Sequence, residues 1–306
     1  MKLDRRTFFA AALCAITTPR QAGAASKFIH AIGLNLYTVR GPLASQPAGT
    51  YRRLGKIGIH LLEVRPVNLT HHAAMMSDAG LKPVHMFIES AIVTGAWDEW
   101  RGFMEKAAAK YKMPAPSPQP GAHPRLEEMI ELAMQHGVKR IGLSMLLPGE
   151  REKGIDQINA AAERCAQAGL EFYYHNHAFE FEGARGKRYI DELQRRLDPS
   201  VRLELDVFWA AAGQENPASL IGKWKGRVRS LHLKDVAPDA PRHVPEIEMP
   251  PTAFRELGAG TLDWRAILGA ADSAKVEYYF IEQDFSPGNP IESVGRSVGF
   301  LRGVEY

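Results

Sequence analysis

The chain contains few cysteines: Cys14 and Cys165 are the two among 306 residues. The first lies in an N-terminal stretch with the features of a cleaved leader, so we expect the mature chain to keep only Cys165. A single thiol excludes an intramolecular disulfide, even in an exported protein where one would persist. We therefore expect the fold to be stabilised by a hydrophobic core and not by crosslinks.

The N-terminus has the three regions of a secretory leader. Lys2, Arg5 and Arg6 precede an apolar stretch at 8–16, and Ala22-Gly23-Ala24 follows as a small-x-small cleavage site. The paired arginines in front of two phenylalanines resemble the twin-arginine type of signal. The apolar stretch is too short to serve as a permanent transmembrane anchor.

We predict that residues 1–24 are a twin-arginine-type signal peptide and that residues 25–306 form the exported, periplasmic protein. Cys14 would suit a lipoprotein, but the large Leu13 before it does not fit the usual small-residue requirement. An amphipathic first helix of the fold is disfavoured because no polar face interrupts residues 8–16. Twin-arginine export carries folded cargo, which suits a protein that acquires its cofactor before it crosses the membrane.

The mature chain lacks a surplus of basic charge. Residues 1–24 hold four basic residues and one acidic residue, and removing them from totals of 38 and 35 leaves 34 of each sign. A protein that binds nucleic acid through its phosphates needs a basic surplus or stripe, and neither is found. The composition therefore argues against a nucleic-acid partner.

The glycine-rich motifs of nucleotide-binding folds are also missing. No Gly-x-Gly-x-x-Gly follows the first predicted strand, and no P-loop occurs anywhere. The chain instead alternates apolar strands with helices, several of which are closed by a glycine. Strands are predicted at 32–40, 59–64, 83–89, 138–145, 170–177, 201–207, 228–235 and 276–284. Helices are predicted at 50–58, 71–80, 97–112, 126–136, 154–168, 188–196, 218–225, 263–272 and 292–301.

Eight strand and helix units in about 280 residues predict an α/β fold, a single-domain (β/α)8 TIM barrel, and not a doubly wound sheet. The proline-rich run at 113–124 is interpreted as a surface loop inside this domain, because the alternation resumes unchanged after it. In such a barrel the active site lies at the C-terminal ends of the strands. Polar residues at those ends are therefore the candidates for function.

The fifth predicted strand ends in the polar sequence Tyr174-His175-Asn176-His177. Alternation puts His175 and His177 on one face, and paired imidazoles at a strand end can bind a metal ion. A core strand with hydrogen-bonded histidines is the alternative for these residues alone. Which imidazole would be the ligand stays open; we favour His175, with His177 turned towards substrate.

Ionisable residues also close other predicted strands. They are Glu63, His85, Glu89, Asp206, His232, Lys234, Asp235, Glu282 and Asp284. A lone aspartate at a strand end is more often the N-cap of the next helix. Together, however, these groups would meet in a small volume, where they are costly to desolvate unless they share a cation. We therefore predict a metal centre at the C-terminal end of the barrel.

Over the whole mature chain the sequence resembles the xylose-isomerase-like TIM-barrel superfamily, a family of sugar isomerases and epimerases. The Tyr-His-Asn-His sequence marks a branch similar to inosose-dehydratase-like and 3-keto-glycoside lyase-type proteins. The matching motifs, in chain order, are Gly33-Leu-Asn-Leu-Tyr37-Thr-Val-Arg40, Tyr174-His-Asn-His177 with Phe179-Glu180-Phe181, Asp206-x-x-Trp209, His232-Leu-Lys-Asp235, Gly258-Ala-Gly260-Thr-Leu-Asp263-Trp264 and Glu282-Gln-Asp284.

The resemblance implies a divalent metal ion, most often manganese, with cobalt, zinc and magnesium as alternatives. The ligands that carry over directly are Asp206, His232 and Glu282, and His175 is the fourth candidate. Epimerases of the superfamily place a glutamate at the strand-five position, where it works with the strand-eight glutamate as a paired acid and base. Because His175 replaces that glutamate, the resemblance favours isomerisation, or proton abstraction followed by elimination, over C3 epimerisation.

The expected chemistry is proton abstraction next to a carbonyl of a keto sugar or oxidised glycoside, through a metal-stabilised enediolate. His177 and Glu282 are the candidate bases, and Lys234 would protonate or hold an oxygen. The predicted substrate contacts are Glu63, His85 and Glu180 for hydroxyl groups, and Trp209 with Phe87 for an apolar wall.

Two other functions stay open on the sequence. A non-catalytic periplasmic sugar-binding barrel would not need Asp206, His232 and Glu282 together. A phosphodiesterase related to AP endonucleases would gather more metal ligands and a basic surface. The predicted partner is a small unphosphorylated sugar or glycoside, with no nucleic acid and no stable membrane anchor after cleavage. The oligomeric state, a homo-oligomer included, is left open.

Overall fold

The computed structural model describes residues 27–112, 123–242 and 246–306; the predicted signal peptide at 1–24 and residues 113–122 of the predicted loop lie outside them. Eight parallel strands close into a barrel in which each strand pairs with its sequence neighbours and the last pairs with the first. The strands are β1 (Ile32–Asn35), β2 (Leu61–Val64), β3 (Lys82–Ile88), β4 (Arg140–Leu143), β5 (Glu171–His175), β6 (Arg202–Asp206), β7 (Val228–Leu233) and β8 (Tyr278–Ile281). The prediction of a single (β/α)8 TIM barrel is confirmed.

Helices surround the strands. The α-helices are α1 (Arg40–Ser45), α2 (Pro47–Ile57), α3 (Pro66–Asp78), α4 (Ser90–Thr94), α5 (Trp97–Tyr111), α6 (Leu126–Gln135), α7 (Arg151–Gln167), α8 (Tyr189–Arg196), α9 (Val207–Ala212), α10 (Pro217–Lys223), α11 (Trp264–Ala274) and α12 (Pro290–Gly303). Single 3-10 turns occur at Leu36–Val39, Pro148–Glu150, Phe179–Phe181, Glu246–Glu248 and Pro251–Ala253. Among the residues described, no helix has both the length and the apolar character that crossing a membrane would require.

Alternation along the strands separates an apolar outside from a polar inside. Leucines such as Leu62 on β2 and Leu205 on β6 belong to the main hydrophobic core, which the surrounding helices complete. The neighbouring positions Glu63 and Glu204 point the other way, because successive side chains of a strand alternate in direction. The barrel interior therefore holds ionisable groups where most TIM barrels pack branched aliphatic residues.

Gly142 shows how closely this interior is packed. A Cβ atom at this position on β4 would lie 2.5 Å from Nε2 of His85 and 3.2 Å from the ring of Phe87. Only glycine leaves room for the imidazole of β3 to lie across β4. Glycine at position 142 therefore allows the imidazole of His85 to take its observed position.

Several local elements differ from the predictions, among them α1, which begins at Arg40 where a strand was expected to end. The first strand ends at Asn35, whose side chain accepts a hydrogen bond from Tyr37 N at 2.9 Å and so caps the 3-10 turn that follows. The short helices α4 and α9 were not predicted, because each has only five or six residues. In α9 the N-cap is Asp206, whose Oδ1 accepts from Trp209 N at 2.8 Å.

A two-stranded antiparallel ladder follows β7 and joins Asp235–Val236 to Phe254–Arg255. Asp235 is completely buried and organises the loop beyond the ladder. Its carboxylate accepts hydrogen bonds from the backbone nitrogens of Gly258 and Gly260 and from Nε1 of Trp264. The predicted strand-seven aspartate is therefore an organiser of the neighbouring loop.

Candidate functional site

A cavity opens at the C-terminal ends of the barrel strands, which is where the TIM-barrel rule places active sites. Apolar side chains form most of its walls, and charged or imidazole groups lie together at the strand ends. On the side from β5 to the end of β8, the charged or imidazole residues that line the cavity are His175, His177, His232, Lys234, Glu282 and Asp284. The structure thus brings residues from β5 to the end of β8 to one small volume.

Asp206, His232 and Glu282 form a compact group of metal-ligand type, with donor atoms that all lie within 4.8 Å of one another. Nδ1 of His232 is 2.9 Å from Oε2 of Glu282 and 3.8 Å from Oδ2 of Asp206. All three residues are buried. Because Oδ1 of Asp206 caps α9, its Oδ2 is the oxygen that faces the group, and one carboxylate serves both purposes.

Lys234 places a cation beside this group. Its Nζ lies 3.0 Å from Asp206 Oδ2, 2.6 Å from Glu282 Oε2 and 2.9 Å from Asp284 Oδ2. Burial by itself would lower the pKa of Lys234, but the three carboxylates outweigh it and hold this pKa well above its usual value. The ammonium group therefore stays charged at neutral pH.

A second layer of ionisable groups lies deeper in the barrel. Nδ1 of His85 is 2.8 Å from Oε1 of Glu63 and 3.5 Å from Oε1 of Glu204. Ser230 donates a hydrogen bond to the same Glu204 oxygen. Burial by itself would lower the pKa of His85, but the carboxylates of Glu204 and Glu63 have the larger, opposite effect and raise this pKa to about 9. His85 is then protonated at neutral pH and balances part of the buried negative charge.

Glu204 is the site residue that the sequence analysis did not single out. It is only 1% exposed, and its Oε2 lies 3.1 Å from Nε2 of His232 and 3.6 Å from Nδ1 of His175. The available signal was the strand alternation: Glu204 and Asp206 are two positions apart on β6 and so face the same side. Glu204 was missed because only the last residue of the strand, Asp206, was taken as a candidate.

His232 connects the two layers. Its Nδ1 faces Glu282 and Asp206, and its Nε2 contacts Oε2 of Glu63. That glutamate oxygen also accepts a hydrogen bond from Nδ2 of Asn35 at 2.7 Å. Histidines that bind a metal through one ring nitrogen commonly donate from the other to a carboxylate. The orientation therefore fits Nδ1 of His232 as the ligand atom.

His175 lies between the two layers. Its Nε2 is 3.7 Å from Oδ2 of Asp206, and its Nδ1 is 3.6 Å from Oε2 of Glu204. Its donor atom groups with those of Glu204 and His232. The predicted fourth ligand is thus adjacent to the compact group, on the side of the deeper layer.

His177 also lines the cavity, as the same-face geometry of the two histidines predicted. Burial lowers the pKa of His177 well below its usual value, and the nearby His175 and Lys234 lower it further. The imidazole is therefore neutral at physiological pH and can accept a proton. Its ring centroid lies 5.2 Å from that of Trp209, which lines the cavity where the sequence predicted an apolar wall.

The three residues predicted to contact substrate hydroxyls are not at the surface of the cavity. In the described part of the chain, Glu63, His85 and Glu180 are not among the residues that line the cavity. Glu180 accepts hydrogen bonds from the Tyr174 hydroxyl at 2.7 Å and from His177 N at 2.8 Å, and burial raises its pKa to about 8. This geometry gives the three residues a part in holding other site residues; direct contact with substrate hydroxyls stays a prediction.

The donor set fits a divalent cation. Asp206 Oδ2, Glu282 Oε2 and His232 Nδ1 are buried atoms without a well-oriented hydrogen-bond partner among the described residues, and their close contacts are ion pairs. Two carboxylates and an imidazole suit manganese, cobalt or zinc, and are also compatible with magnesium. Asp206, His232 and Glu282 would hold the ion, with His175 next to them.

A TIM barrel whose later strands bring carboxylates and imidazoles together at their C-terminal ends defines the class of protein. The family described as xylose isomerase-like TIM barrel matches residues 117–304, more than half of the chain. The chain belongs to this family, as the sequence motifs indicated.

Three individual relatives show how far the similarity extends, with identities of 28% or less. The inosose dehydratase of Geobacillus thermodenitrificans is 28% identical over 158 residues, which cover 48% of this chain and 52% of that protein. The match thus spans about half the length of such curated relatives. Among solved structures, a sugar phosphate isomerase/epimerase from Parabacteroides distasonis is 20% identical, with a TM-score of 0.67 over 95% of this chain and 98% of the other. The IOLI protein, solved with a zinc atom, is 14% identical, with a TM-score of 0.59 over 88% and 97%.

Proposed function

We propose that the chain is a divalent-metal-dependent enzyme that removes a proton next to the carbonyl of a keto sugar or oxidised glycoside. It would complete the reaction as an isomerase or epimerase, or as a dehydratase or lyase. The observation that carries this proposal is the convergence of Asp206, His232 and Glu282, with Lys234 beside them, at one end of a cavity. Relatives named inosose dehydratase support the class of chemistry, and the zinc atom in the IOLI structure supports a metal.

The residues have separate tasks in this proposal. An ion held by Asp206, His232 and Glu282, manganese by our expectation, would polarise the substrate carbonyl as a Lewis acid. Lys234, whose Nζ lies 3.0 Å from Asp206 Oδ2 and 2.6 Å from Glu282 Oε2, would hold or protonate a substrate oxygen beside the ion. His177 stays neutral and is a candidate base for the proton next to the carbonyl, with Glu282 as the second candidate.

The identity of residue 175 favours one outcome of this chemistry. An epimerase needs an acid and a base on opposite faces of the substrate, and two glutamates perform those tasks in the epimerases that the sequence resembles. Here His175 stands on strand five, beside Glu204 and Asp206. We therefore favour isomerisation or elimination over epimerisation.

The proposal is tested by incubating the manganese-loaded protein in deuterated water with free ketoses and 3-keto-glycosides. Deuterium incorporation next to the carbonyl is expected, and the product separates isomerisation, epimerisation and elimination. The critical variant is Asp206→Asn, because an asparagine oxygen still caps α9 while the ligand charge is lost. The matched control is Asp263→Asn at the exposed N-cap of α11.

Loss of exchange in Asp206→Asn and after chelation, with exchange kept in Asp263→Asn, supports the proposal. Full exchange in Asp206→Asn, or in the chelated protein, contradicts it. Sugar binding with no exchange by the metal-loaded wild type would instead support a non-catalytic sugar-binding barrel.

We also propose that the chain is exported through its twin-arginine-type leader at 1–24. Cell fractionation of the full-length chain and of a variant with Arg5→Lys and Arg6→Lys tests this. We expect the wild type in the periplasm and the variant in the cytoplasm; the same location for both contradicts the proposal.

A further inference from the structure

One face of α5 is turned towards the cavity. Trp100, Phe103, Met104, Ala107 and Tyr111 all line it. Positions 100, 103, 107 and 111 are three or four residues apart, and position 104 is three residues before 107, so all five lie on one side of the helix. Ala107 is buried, but the other four side chains are only partly buried. An apolar stripe of this kind normally packs against a protein core, and here it forms a wall of the cavity.

Aromatic rings continue from this wall to His177 at the end of β5. The ring centroids of Tyr111 and Phe285 are 4.7 Å apart, those of Phe285 and Phe254 5.8 Å, and those of Phe254 and Trp209 6.1 Å. Trp209 then lies 5.2 Å from His177. The apolar wall and the candidate catalytic groups therefore belong to one surface of one cavity.

The two ends of this surface differ in chemistry. Lys234, Glu282 and Asp284 provide charges at the strand ends, where sugar oxygens can be bound. The wall of α5 provides rings and a thioether, and the hydroxyl of Tyr111 already donates to the carbonyl oxygen of Met249 at 3.1 Å. Sugar hydroxyls placed against this wall would lose hydrogen bonds to water. A planar apolar group would gain from burial and from ring contacts.

We infer that the apolar face of α5 is a binding subsite for the aglycone of the substrate, and that this aglycone is aromatic. The inference rests on the proposed function, since it places the oxidised sugar at the metal-ligand group and the aglycone against the wall of α5 that includes Phe103. The preferred substrate class is then the oxidised aryl glycoside, and not the free keto sugar. One amphipathic ligand accounts for both ends of the cavity.

Binding of unreactive ligands tests the subsite without any catalysis. Calorimetry with phenyl β-glucoside and methyl β-glucoside should give roughly tenfold or greater tighter binding of the phenyl compound, the gain expected from burying one ring. Phe103→Ala should reduce this ratio to near one. The matched control is Met134→Ala, an exposed methionine on α6, which should keep the wild-type ratio. Thermal unfolding verifies that both variants are folded.

Catalysis then separates this inference from the proposed function. With phenyl and methyl 3-keto-glucosides, kcat/KM should favour the phenyl compound, and Phe103→Ala should remove that preference. If neither compound is turned over but phenyl β-glucoside still binds preferentially, the proposed reaction fails and the subsite is supported. If both are turned over equally and bind equally, the subsite is refuted and the proposed reaction stands.

A second copy of the chain is the other occupant that an apolar helix face can attract. Sedimentation of the wild type and of Phe103→Ala distinguishes the two. A dimer that dissociates in Phe103→Ala, together with equal binding of the two glucosides, would assign the face to self-association and overturn the inference.

Discussion

Replacing Glu63 by glutamine would weaken metal binding although Glu63 is not one of the three candidate ligands Asp206, His232 and Glu282. In the structure Oε2 of Glu63 contacts Nε2 of His232, whose Nδ1 faces Glu282 and Asp206. A glutamine keeps the shape and an accepting oxygen but changes a charge-assisted hydrogen bond to a neutral one, a difference of about 1 to 1.5 kcal/mol. Metal affinity should then fall roughly tenfold, at the lower end of what such outer-shell changes cause.

The assay is competition for manganese or zinc against a chromophoric chelator at fixed pH. The matched control is Glu89→Gln, because Glu89 also lines the cavity and also loses a charge, but pairs with Arg65 and not with His232. A tenfold loss in Glu63→Gln with a smaller change in Glu89→Gln supports the orientation of His232. Equal losses in both variants would mean that the lost negative charge, and not the contact with His232, weakens metal binding. An unchanged affinity in a folded Glu63→Gln would refute the reasoning.

Three further predictions concern stability, measured by urea unfolding of the metal-free protein. Asp235→Ala should lower the free energy of unfolding by about 3–5 kcal/mol because it leaves the buried N–H groups of Trp264 Nε1 and Val236 unpaired, whereas Asp263→Ala at an exposed N-cap should cost about 1 kcal/mol. The raised pKa of Glu180, about 8 against 4.5, means that the folded state holds a proton that the unfolded state has lost, so wild-type stability falls as pH rises between these values. Glu180→Gln removes that proton linkage, so its stability should fall less across this window; parallel curves would contradict the assignment. Gly142→Ala should cost about 1–3 kcal/mol, because its Cβ would meet the imidazole of His85 at 2.5 Å, and an unchanged stability would contradict this packing.

The fold was largely predictable because its signals are local. Alternation of strands with glycine-terminated helices gave eight barrel strands, and the predicted strand at 83–89 is observed as Lys82–Ile88. Boundaries were less accurate where a side chain redirects the backbone, as Asn35 does at the end of β1. Short capped helices such as α9 were missed, because a single turn carries too little periodicity to be distinguished from a loop.

The sequence was less informative about the inside of the barrel. Strand ends identified Asp206, His232 and Glu282, which do converge. Glu63 and His85 lie in a deeper layer with Glu204, and their predicted contact with substrate stays a prediction. The sequence did not reveal this depth, because it depends on how the strands are staggered. That stagger is a property of the closed sheet and is not present in any one strand.

By itself, the sequence determined the TIM barrel, the end of the barrel that carries the polar residues and the types of ligand gathered there, because these follow from short-range periodicity and residue chemistry. Only the tertiary structure decided that Nε2 of His232 contacts Glu63 while its Nδ1 faces the candidate ligands, and that Lys234 is enclosed by three carboxylates. It also decided that the apolar face of α5 turns to the cavity and not to the core. Each of these depends on distances between residues far apart in the chain, which the closure of the barrel fixes.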